Sequence, residues 1–316
     1  MMEKTCKTLR LENDLVPESE ESMEIAVLSD IHSNYIALEK CMEYCLKRGI
    51  RSFLFLGDYV GEMAYPERTM ELLRRYMGKY DCTFIRGNKE DYWINQRKSK
   101  ALHLEEYSST TGALWYAYNH LKEKDIDFFE RMPIAKKIQY GDMPTLIACH
   151  GSPFSAKENM NVGSERTIEI LEQSEVDLIL CGHTHKQGKT VCNGKVVLNP
   201  GSVGLSLKAR SMSQFMILHG EKGQWREEFI SLPYDREAVV RQLEESGLSK
   251  RAPGWCRITA YSLQNTTLED VGHAQVLWRV MELCRQDTGE CNWPNIPEKY
   301  WDVALGEFLG ESCVAL

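Results

Sequence analysis

The sequence predicts an α/β fold with two packed sheets, covering helices and a mostly helical C-terminal region. Three observations lead to this prediction. Short apolar runs alternate with amphipathic stretches in the N-terminal part of the chain. Short strand-like runs, separated by turn residues, return after Pro133. From Asp235 onward, apolar residues recur at helical spacing instead.

The N-terminal part contains three strand-like runs, over residues 24–29, 52–56 and 82–85. Amphipathic helices are predicted between them, over 36–48 and 66–77, because apolar residues recur at helical spacing and a glycine follows each stretch. Strands that are apolar on both faces and separated by helices are typical of a sheet covered on both sides. We therefore expect these three strands to form one such sheet.

The middle of the chain, over 91–129, is predicted to be helical and is rich in aromatic residues. Asn193-Gly194 then stands between two strand-like runs and is a clear signal for a tight hairpin. We expect the strands of this later part to form a second sheet packed on the first. They are predicted over 134–140, 145–149, 176–181, 190–192, 195–198, 214–218 and 225–231.

The chain is predicted to have three parts. Residues 1–22 include an acidic run and lack the apolar core of a secretory signal, so we expect a solvated, flexible leader. Residues 23–234 contain all the strands, and 235–316 form a helical appendage. The Met and Trp residues of the appendage are expected to form its core or the surface of a homo-oligomer. Its helices are predicted over 236–245, 268–285 and 297–309.

The composition restricts the possible functions. The 11 Cys are scattered and contain no CxxC pair, which favours free thiols in a reducing cytoplasm. No apolar run approaches the roughly 20 residues that cross a bilayer, so we expect no membrane association. A net charge of −8 argues against nucleic acid as a partner. A small phosphorylated substrate remains possible, because the local charge of bound metal ions outweighs the global charge.

Five short segments place metal-binding side chains directly after predicted strands. Each segment alone is weak evidence, since a lone His after a strand is more often a core or capping residue. Loops at the carboxyl ends of sheet strands converge in space, however, so the joint pattern predicts one site. Carboxylate, imidazole and amide oxygen suit Zn, Fe, Mn or Ni. The predicted ligands are Asp30, His32, Asp58, Asn88, His150, His183 and His185.

These segments resemble the five motifs of the calcineurin-like metallophosphoesterases. Asn199-Pro-Gly-Ser-Val-Gly204 is also similar to the segment after the last motif in the compact bacterial and archaeal phosphodiesterase branch. The resemblance covers about residues 24–232 and implies a four-layer α/β/β/α sandwich. The motifs are Asp30-x-His32, Gly57-Asp58, Gly87-Asn88, His150-Gly151 and Gly182-His183-Thr-His185.

The resemblance implies two divalent metal ions, which could be Mn, Fe, Zn, Ni or Mg. Asp58 would bridge both ions, and a hydroxide between them would be the nucleophile. The implied reaction is hydrolysis of phosphodiesters or small phosphomonoesters, so Asp58 and Asn88 would belong to the catalytic site. One ion would bind Asp30, His32 and His185, and the other would bind Asn88, His150 and His183.

The third motif departs from the family pattern at Lys89, where many members have a His that helps to stabilise the leaving group. With an unperturbed pKa of about 10.4, a Lys is a poorer proton donor at neutral pH. We hypothesise that Lys89 acts in catalysis and favours substrates with good leaving groups; the alternative is that it only points to solvent. Arg86 could reach phosphate or only brace a loop. His103 or His120, in the predicted helical part over 91–129, could replace the missing His.

Three other functions compete with ester hydrolysis as interpretations of the sequence. The alternative is a catalytically weak metal-binding scaffold that recruits partner proteins, although all seven ligand positions are intact here. A serine/threonine protein phosphatase is disfavoured, because the Arg that closely follows Gly-Asp in that class is missing after Asp58. A nuclease is disfavoured by the acidic balance. The remaining histidines, His219 and His273, match no motif, and we expect them to be structural or exposed.

Overall fold

The structure, a computed structural model, describes most of the chain. The predicted leader, 1–22, lies outside the described residues, as does the start of the helix predicted over 268–285. Within the described part, ten strands and eleven helices are present. The described ranges are 23–61, 63–99, 103–207, 209–265, 272–291, 293–294 and 296–310.

The strands and helices follow one another along the chain in an order close to the predicted one. The strands are β1 (Met23–Leu28), β2 (Ser52–Phe55), β3 (Asp81–Phe84), β4 (Ala135–Ile138), β5 (Leu146–Cys149), β6 (Leu178–Leu180), β7 (Gly188–Cys192), β8 (Lys195–Asn199), β9 (Ser213–Glu221) and β10 (Gln224–Leu232). The helices are α1 (Tyr35–Lys47), α2 (Pro66–Met77), α3 (Asn88–Ser99), α4 (Gly112–His120), α5 (Glu123–Arg131), α6 (Glu165–Gln173), α7 (Arg236–Glu245), α8 (Leu248–Arg251), α9 (Pro253–Gln264), α10 (His273–Thr288) and α11 (Glu298–Leu309).

The strands form two mixed sheets of five strands each. The first has the order β10-β9-β1-β2-β3, with β1, β2 and β3 parallel. The second has the order β4-β5-β6-β8-β7, with β5, β6 and β8 parallel. Asn193 and Gly194 join β7 to β8 with φ angles of 50° and 80°. Positive φ at both central residues is the geometry of a type I′ hairpin turn, so the hairpin prediction is confirmed.

The last two strands, β9 and β10, belong to the first sheet, so the prediction that all later strands form the second sheet is wrong for them. β9 pairs antiparallel with β1, from Met23 opposite Gly220 to Val27 opposite Met216. On its other side β9 pairs with β10, and its first six residues are buried. An apolar pattern shows that a strand is buried, but it does not show which sheet the strand joins.

The apolar residues form layers between and outside the two sheets. Ile25 and Val27 of β1 pack between the sheets in one cluster with Leu178 and Leu180 of β6. The opposite face of the first sheet packs against α1 to α5, and the outer face of the second packs against α6. Helix, sheet, sheet and helix thus follow one another, and the predicted four-layer sandwich is confirmed.

Three helices, α6, α8 and α9, were not predicted. α6 and α8 are short, with nine and four residues. Pro253 stands in the first turn of α9, which is a common signal for a helix start. None of the described helices has both the length and the apolar character needed to span a membrane.

The C-terminal helices share a core with α4, one of the helices in the middle of the chain. Leu243 of α7 and Leu263 of α9 lie in one cluster with Ala113 of α4. The buried indole of Trp301 in α11 donates a hydrogen bond of 2.9 Å from Nε1 to Oγ1 of Thr110. The helical C-terminal region is therefore packed on the sandwich, and a domain boundary at residue 235 stays a prediction.

Candidate metal centre

Six of the seven predicted ligands lie on loops that follow strands of both sheets, and Asn88 begins α3 directly after such a loop. Asp30 comes two residues after β1, Asp58 three residues after β2, and Asn88 four residues after β3. His150 directly follows β5, and His183 follows β6 in the second sheet. Because parallel strands end at the same edge of a sheet, their loops meet there.

Five of the ligand residues have a left-handed backbone conformation. This conformation is uncommon for residues other than glycine, and it turns each loop sharply. Asp58 O accepts hydrogen bonds from the backbone N–H groups of Ile31 and His32, at 2.9 and 3.0 Å, which joins the first two loops. The five residues and their φ angles are Asp30 (56°), His32 (49°), Asp58 (55°), His183 (67°) and His185 (56°).

Asp30, His32 and His185 form a first group of candidate ligands. One ligand atom of each lies within 4.8 Å of the others. The Nε2 atoms of His32 and His185 are 3.1 Å apart, and Asp30 Oδ1 lies 3.3 Å from Nε2 of His185. The structure thus brings together the ligands expected for one metal ion.

Asp58, His150 and His183 form a second group within the same 4.8 Å limit. Asn88 joins it, because its Oδ1 lies 3.0 Å from His150 Nε2. Both Asn88 and His150 are buried. The ligands expected for the other metal ion therefore also come together.

Asp58 lies between the two groups. Its Oδ2 is 3.6 Å from Nε2 of His32 in the first group. Its Oδ1 is 3.4 Å from Nε2 of His150 in the second group. A carboxylate with one oxygen toward each group has the geometry that a bridging ligand requires.

Backbone carbonyl groups orient two of the imidazole rings. Nδ1 of His150 donates to the carbonyl oxygen of Leu56 at 2.7 Å, and Nδ1 of His185 donates to that of Leu205 at 2.6 Å. A carbonyl oxygen only accepts, so the proton of each neutral ring is on Nδ1. Nε2 is then the lone-pair nitrogen available to a cation, as is usual for metal-binding histidines.

The segment from Asn199 to Gly204 is hydrogen-bonded to the loops that carry the ligands. Ser202 Oγ and Gly204 N both donate to the carbonyl oxygen of Asp30, at 2.7 and 3.0 Å. Asn199 Nδ2 donates to the carbonyl oxygen of Gly182 at 2.7 Å, directly before His183. This segment therefore positions ligands from both sheets without supplying one.

The residues present fit divalent cations. Oδ1 of the fully buried Asp30 makes no hydrogen bond within the described part of the chain, whereas its Oδ2 accepts one from the backbone N–H of His183. A buried carboxylate oxygen without a donor is costly unless a cation compensates it. The mixed oxygen and imidazole donors suit divalent transition metals.

The electrostatics of the site are dominated by the two buried carboxylates. Burial acts to raise the pKa of Asp58, but the charge and hydrogen bond of His150, together with the charge of His32, outweigh it and hold that pKa below its usual range. Burial lowers the pKa of His150, but Asp58 and Asp30 outweigh it and raise the pKa to about 9. Burial, and then the charge of His150, lowers the pKa of His183 to about 4. The carboxylates thus attract positive charge.

Glu90 is a buried residue of the site that the sequence did not single out. Its carboxylate accepts backbone hydrogen bonds from Gly87, Asp58 and Tyr59, at 2.8 to 2.9 Å. Burial, and then the charge of Asp58, raises the pKa of Glu90 to about 7. Glu90 thus holds the second and third motifs together. The sequence feature that could have indicated this role is its position in the third motif, in the run Gly-Asn-Lys-Glu.

Lys89 lines a cavity beside the ligands and is half-buried. Its backbone N–H donates to Oδ1 of Asp58 at 2.9 Å, and its Nζ lies 5.4 Å from the ring centroid of Tyr92. The side chain is therefore at the site rather than only in solvent. Its predicted catalytic role stays a prediction.

The other candidate catalytic residues lie outside the lining of this cavity. Nε of Arg86 is 3.2 Å from Oδ1 of Asp91, which is the arrangement of a loop-bracing ion pair. His120 stacks on Tyr116, with 4.0 Å between the ring centroids, and His103 is exposed. Their expected catalytic roles remain predictions, and we do not include them in the site.

The cavity has a volume of about 490 Å³, which is within the usual size range of small-molecule sites. One part of its wall comes from the C-terminal helices, with Trp255 and Thr259 of α9 and His273 and Leu277 of α10. His273 was expected to be structural or exposed, yet it is half-buried at the cavity. No sequence motif marked this wall, because only tertiary packing brings these helices to the ligands.

A family comparison is consistent with this site. The sequence model of the calcineurin-like phosphoesterase superfamily domain matches residues 23–223. An uncharacterized protein of Methanocaldococcus jannaschii is 25% identical over 248 residues, which span 73% of this chain and 94% of that protein.

Two solved structures share the fold. A metallophosphoesterase from Sphaerobacter thermophilus is 20% identical, with a TM-score of 0.59. A hypothetical protein from Pyrococcus horikoshii OT3 is 18% identical, with a TM-score of 0.63. Each match covers 78% of this chain and 100% of the other chain.

Proposed function

This chain belongs to the calcineurin-like phosphoesterase superfamily, and on that basis we propose that it is a hydrolase of phosphoric esters with a dinuclear metal centre. The substrate is a phosphodiester or a small phosphomonoester. One observation carries the proposal: two groups of candidate ligands lie side by side with Asp58 between them, at the wall of a cavity of about 490 Å³.

The chain's own residues would hold and orient the reacting groups. When bound, two divalent ions supply Lewis-acid charge and an activated hydroxide. Asp30, His32 and His185 would hold one ion, and Asn88, His150 and His183 would hold the other, with Asp58 shared between them. The carbonyl groups of Leu56 and Leu205 fix the imidazole rings of His150 and His185, so little reorganisation is needed during the reaction.

The cavity favours a small substrate with a partly apolar organic group. Its lining combines the polar ligands with Met63, Leu205, Leu207 and Leu277. Apolar walls beside a few polar groups are typical of small-molecule sites. The net charge of −8 supports a small ester over nucleic acid.

The experiment that tests the proposal combines metal analysis with turnover. The purified protein is stripped of metal, loaded separately with Mn, Mg, Ni and Zn, and assayed on phosphomonoesters, phosphodiesters and nucleotides. We expect two ions per chain and hydrolysis of at least one ester class with one of the metals. Two bound ions without hydrolysis of any ester would overturn the proposal and favour the scaffold that recruits partner proteins.

A further inference from the structure

Two lysines stand in the wall of the cavity beside the metal ligands. Lys89 directly follows Asn88, and Lys186 directly follows His185, so each lysine is the chain neighbour of a ligand from a different group. Among the described residues that line the cavity, Asp58 is the only one with a carboxylate, and it lies between the two ligand groups. The wall outside the ligands is therefore basic, although the whole chain has a net charge of −8.

The ammonium group of Lys186 is free to bind a ligand. Within the part of the chain that the structure describes, it makes no ion pair and no hydrogen bond, and the residue is exposed at the cavity. Lys89 differs, because its Nζ lies 5.4 Å from the ring centroid of Tyr92. A cation in a cleft that no protein carboxylate neutralises attracts anions from solution.

The charges of the site indicate the charge of the substrate. Asp30 and Asp58 are the only charged ligands when the imidazole rings bind in their neutral form, so two divalent ions leave a surplus of two positive charges. The ammonium groups of Lys89 and Lys186 raise this surplus to four. A hydroxide and a phosphomonoester dianion together supply three negative charges, and a hydroxide with a phosphodiester supplies two. One further anionic group on a phosphomonoester completes the balance that charges in a partly closed site require.

The cavity also has room for an organic group that joins two anionic ends. The backbone N–H of Leu207 donates to the carbonyl oxygen of His185 at 3.0 Å, so the segment with Leu205 and Leu207 runs beside the backbone before Lys186. Both leucines line the cavity. The organic part of a substrate can therefore contact an apolar surface while its anionic groups reach the ligands and the ammonium group.

We propose that Lys186 is a specificity-determining residue that binds a second anionic group of the substrate, an inference that rests on the proposed function. The substrate class is a phosphomonoester whose organic part carries a carboxylate or a second phosphate. Its phosphoryl group binds at the metal ligands, and the ammonium group of Lys186 donates hydrogen bonds to the second anion. Lys186 acts on the part of the substrate that does not react, so its loss should weaken binding more than it slows the chemical step.

The test uses two substrates that differ in charge but hardly in shape, 4-carboxyphenyl phosphate and 4-carbamoylphenyl phosphate. We expect the metal-loaded wild-type protein to have a KM about 10-fold lower for the carboxyl ester, because a hydrogen bond to a charged group contributes about this factor. Lys186→Gln should abolish the preference, Lys186→Glu should reverse it, and Lys186→Arg should retain most of it. Lys47→Gln, at an exposed position outside the cavity lining, is the matched control.

Direct binding gives a measurement that does not depend on turnover. The probes are 4-carboxybenzylphosphonate and 4-carbamoylbenzylphosphonate, in which carbon replaces the ester oxygen and prevents hydrolysis. Titration calorimetry should show the same preference of about 10-fold for the carboxyl compound in the wild type and in Lys47→Gln. The preference should disappear in Lys186→Gln and decrease at high salt, because salt screens exposed charges.

The outcomes separate this inference from the function on which it rests. If both phosphomonoesters have equal KM values, if Lys186→Gln keeps the preference, or if only phosphodiesters are hydrolysed, the inference is wrong and the proposed function stands. If Lys89→Gln abolishes the preference and Lys186→Gln does not, the second anion binds at Lys89 and the inference is also wrong. A wild-type protein that hydrolyses no ester with any metal overturns the proposed function itself, whatever the phosphonates show.

Discussion

Replacing Asp58 by Asn is the most direct test of a shared ligand between the two metal groups. The substitution keeps the size and shape of the side chain but removes one negative charge from a buried position. It also replaces one oxygen by an NH₂ group, which cannot bind a cation. Only one of the two groups can then use this side chain as a ligand.

The expected loss of affinity can be estimated from the distances. The Asp58 oxygens lie 3.6 and 3.4 Å from the nearest imidazole nitrogens of the two groups. Coulomb's law with an effective dielectric constant of about 20 gives about 5 kcal/mol for unit charges about 3.5 Å apart. Roughly half is offset, because burying an amide costs less than burying a carboxylate. The remaining loss of about 2.5 kcal/mol corresponds to about 70-fold weaker binding of one ion.

The assay is metal titration followed by elemental analysis of the protein after gel filtration. We expect two ions per wild-type chain and one per Asp58→Asn chain at metal concentrations that just saturate the wild type. Asp142→Asn, at an exposed turn, is the matched control. If Asp58→Asn holds two ions with wild-type affinity, Asp58 is not shared and the argument from these distances is wrong.

Three further predictions concern the fold. Gly204→Ala should lower both stability and metal affinity, because an added Cβ would overlap the carbonyl oxygen of Ile31 between two ligands; an unchanged melting temperature and metal titration would contradict this. Trp301→Ala should lower the free energy of unfolding by about 3–5 kcal/mol, measured by denaturant unfolding, because it leaves a cavity at a buried position and removes the hydrogen bond to Thr110. Trp278→Ala, at an exposed position, is the control. Four buried cysteines should resist alkylation at pH 8 until the protein unfolds, because burial raises the pKa of each thiol well above its usual value, and mass spectrometry of native and unfolded protein checks this. They are Cys41, Cys149, Cys181 and Cys256.

The ligand positions could be predicted because a local signal marks each of them. An apolar strand followed directly by Asp, Asn or His places a polar side chain at a sheet edge, as Asp30 and His150 show. The parallel arrangement of the strands then brings distant segments together. The layers could be predicted for a related reason, since burial on both faces follows from the apolar pattern alone.

Long-range packing explains what the sequence did not reveal. The pattern of β9 is that of any buried strand, and its pairing with β1 depends on a chain crossing from one sheet to the other. His273 has no local signal at all, because α10 reaches the cavity only through the packing of α9 and α11 around it. Glu90 did lie in a motif, but its role depends on three backbone N–H groups from two loops.

The left-handed backbone at five ligand positions has a consequence for how sequence variants would be selected. Such a conformation costs about 1–3 kcal/mol for a residue other than glycine. At Asp30 or His183, a change to glycine would relieve that cost and remove a ligand in the same step. A library of variants selected only for folding should therefore accumulate glycine at these positions. A library selected for metal binding should retain Asp and His, so the two selections would favour opposite changes at the same codons.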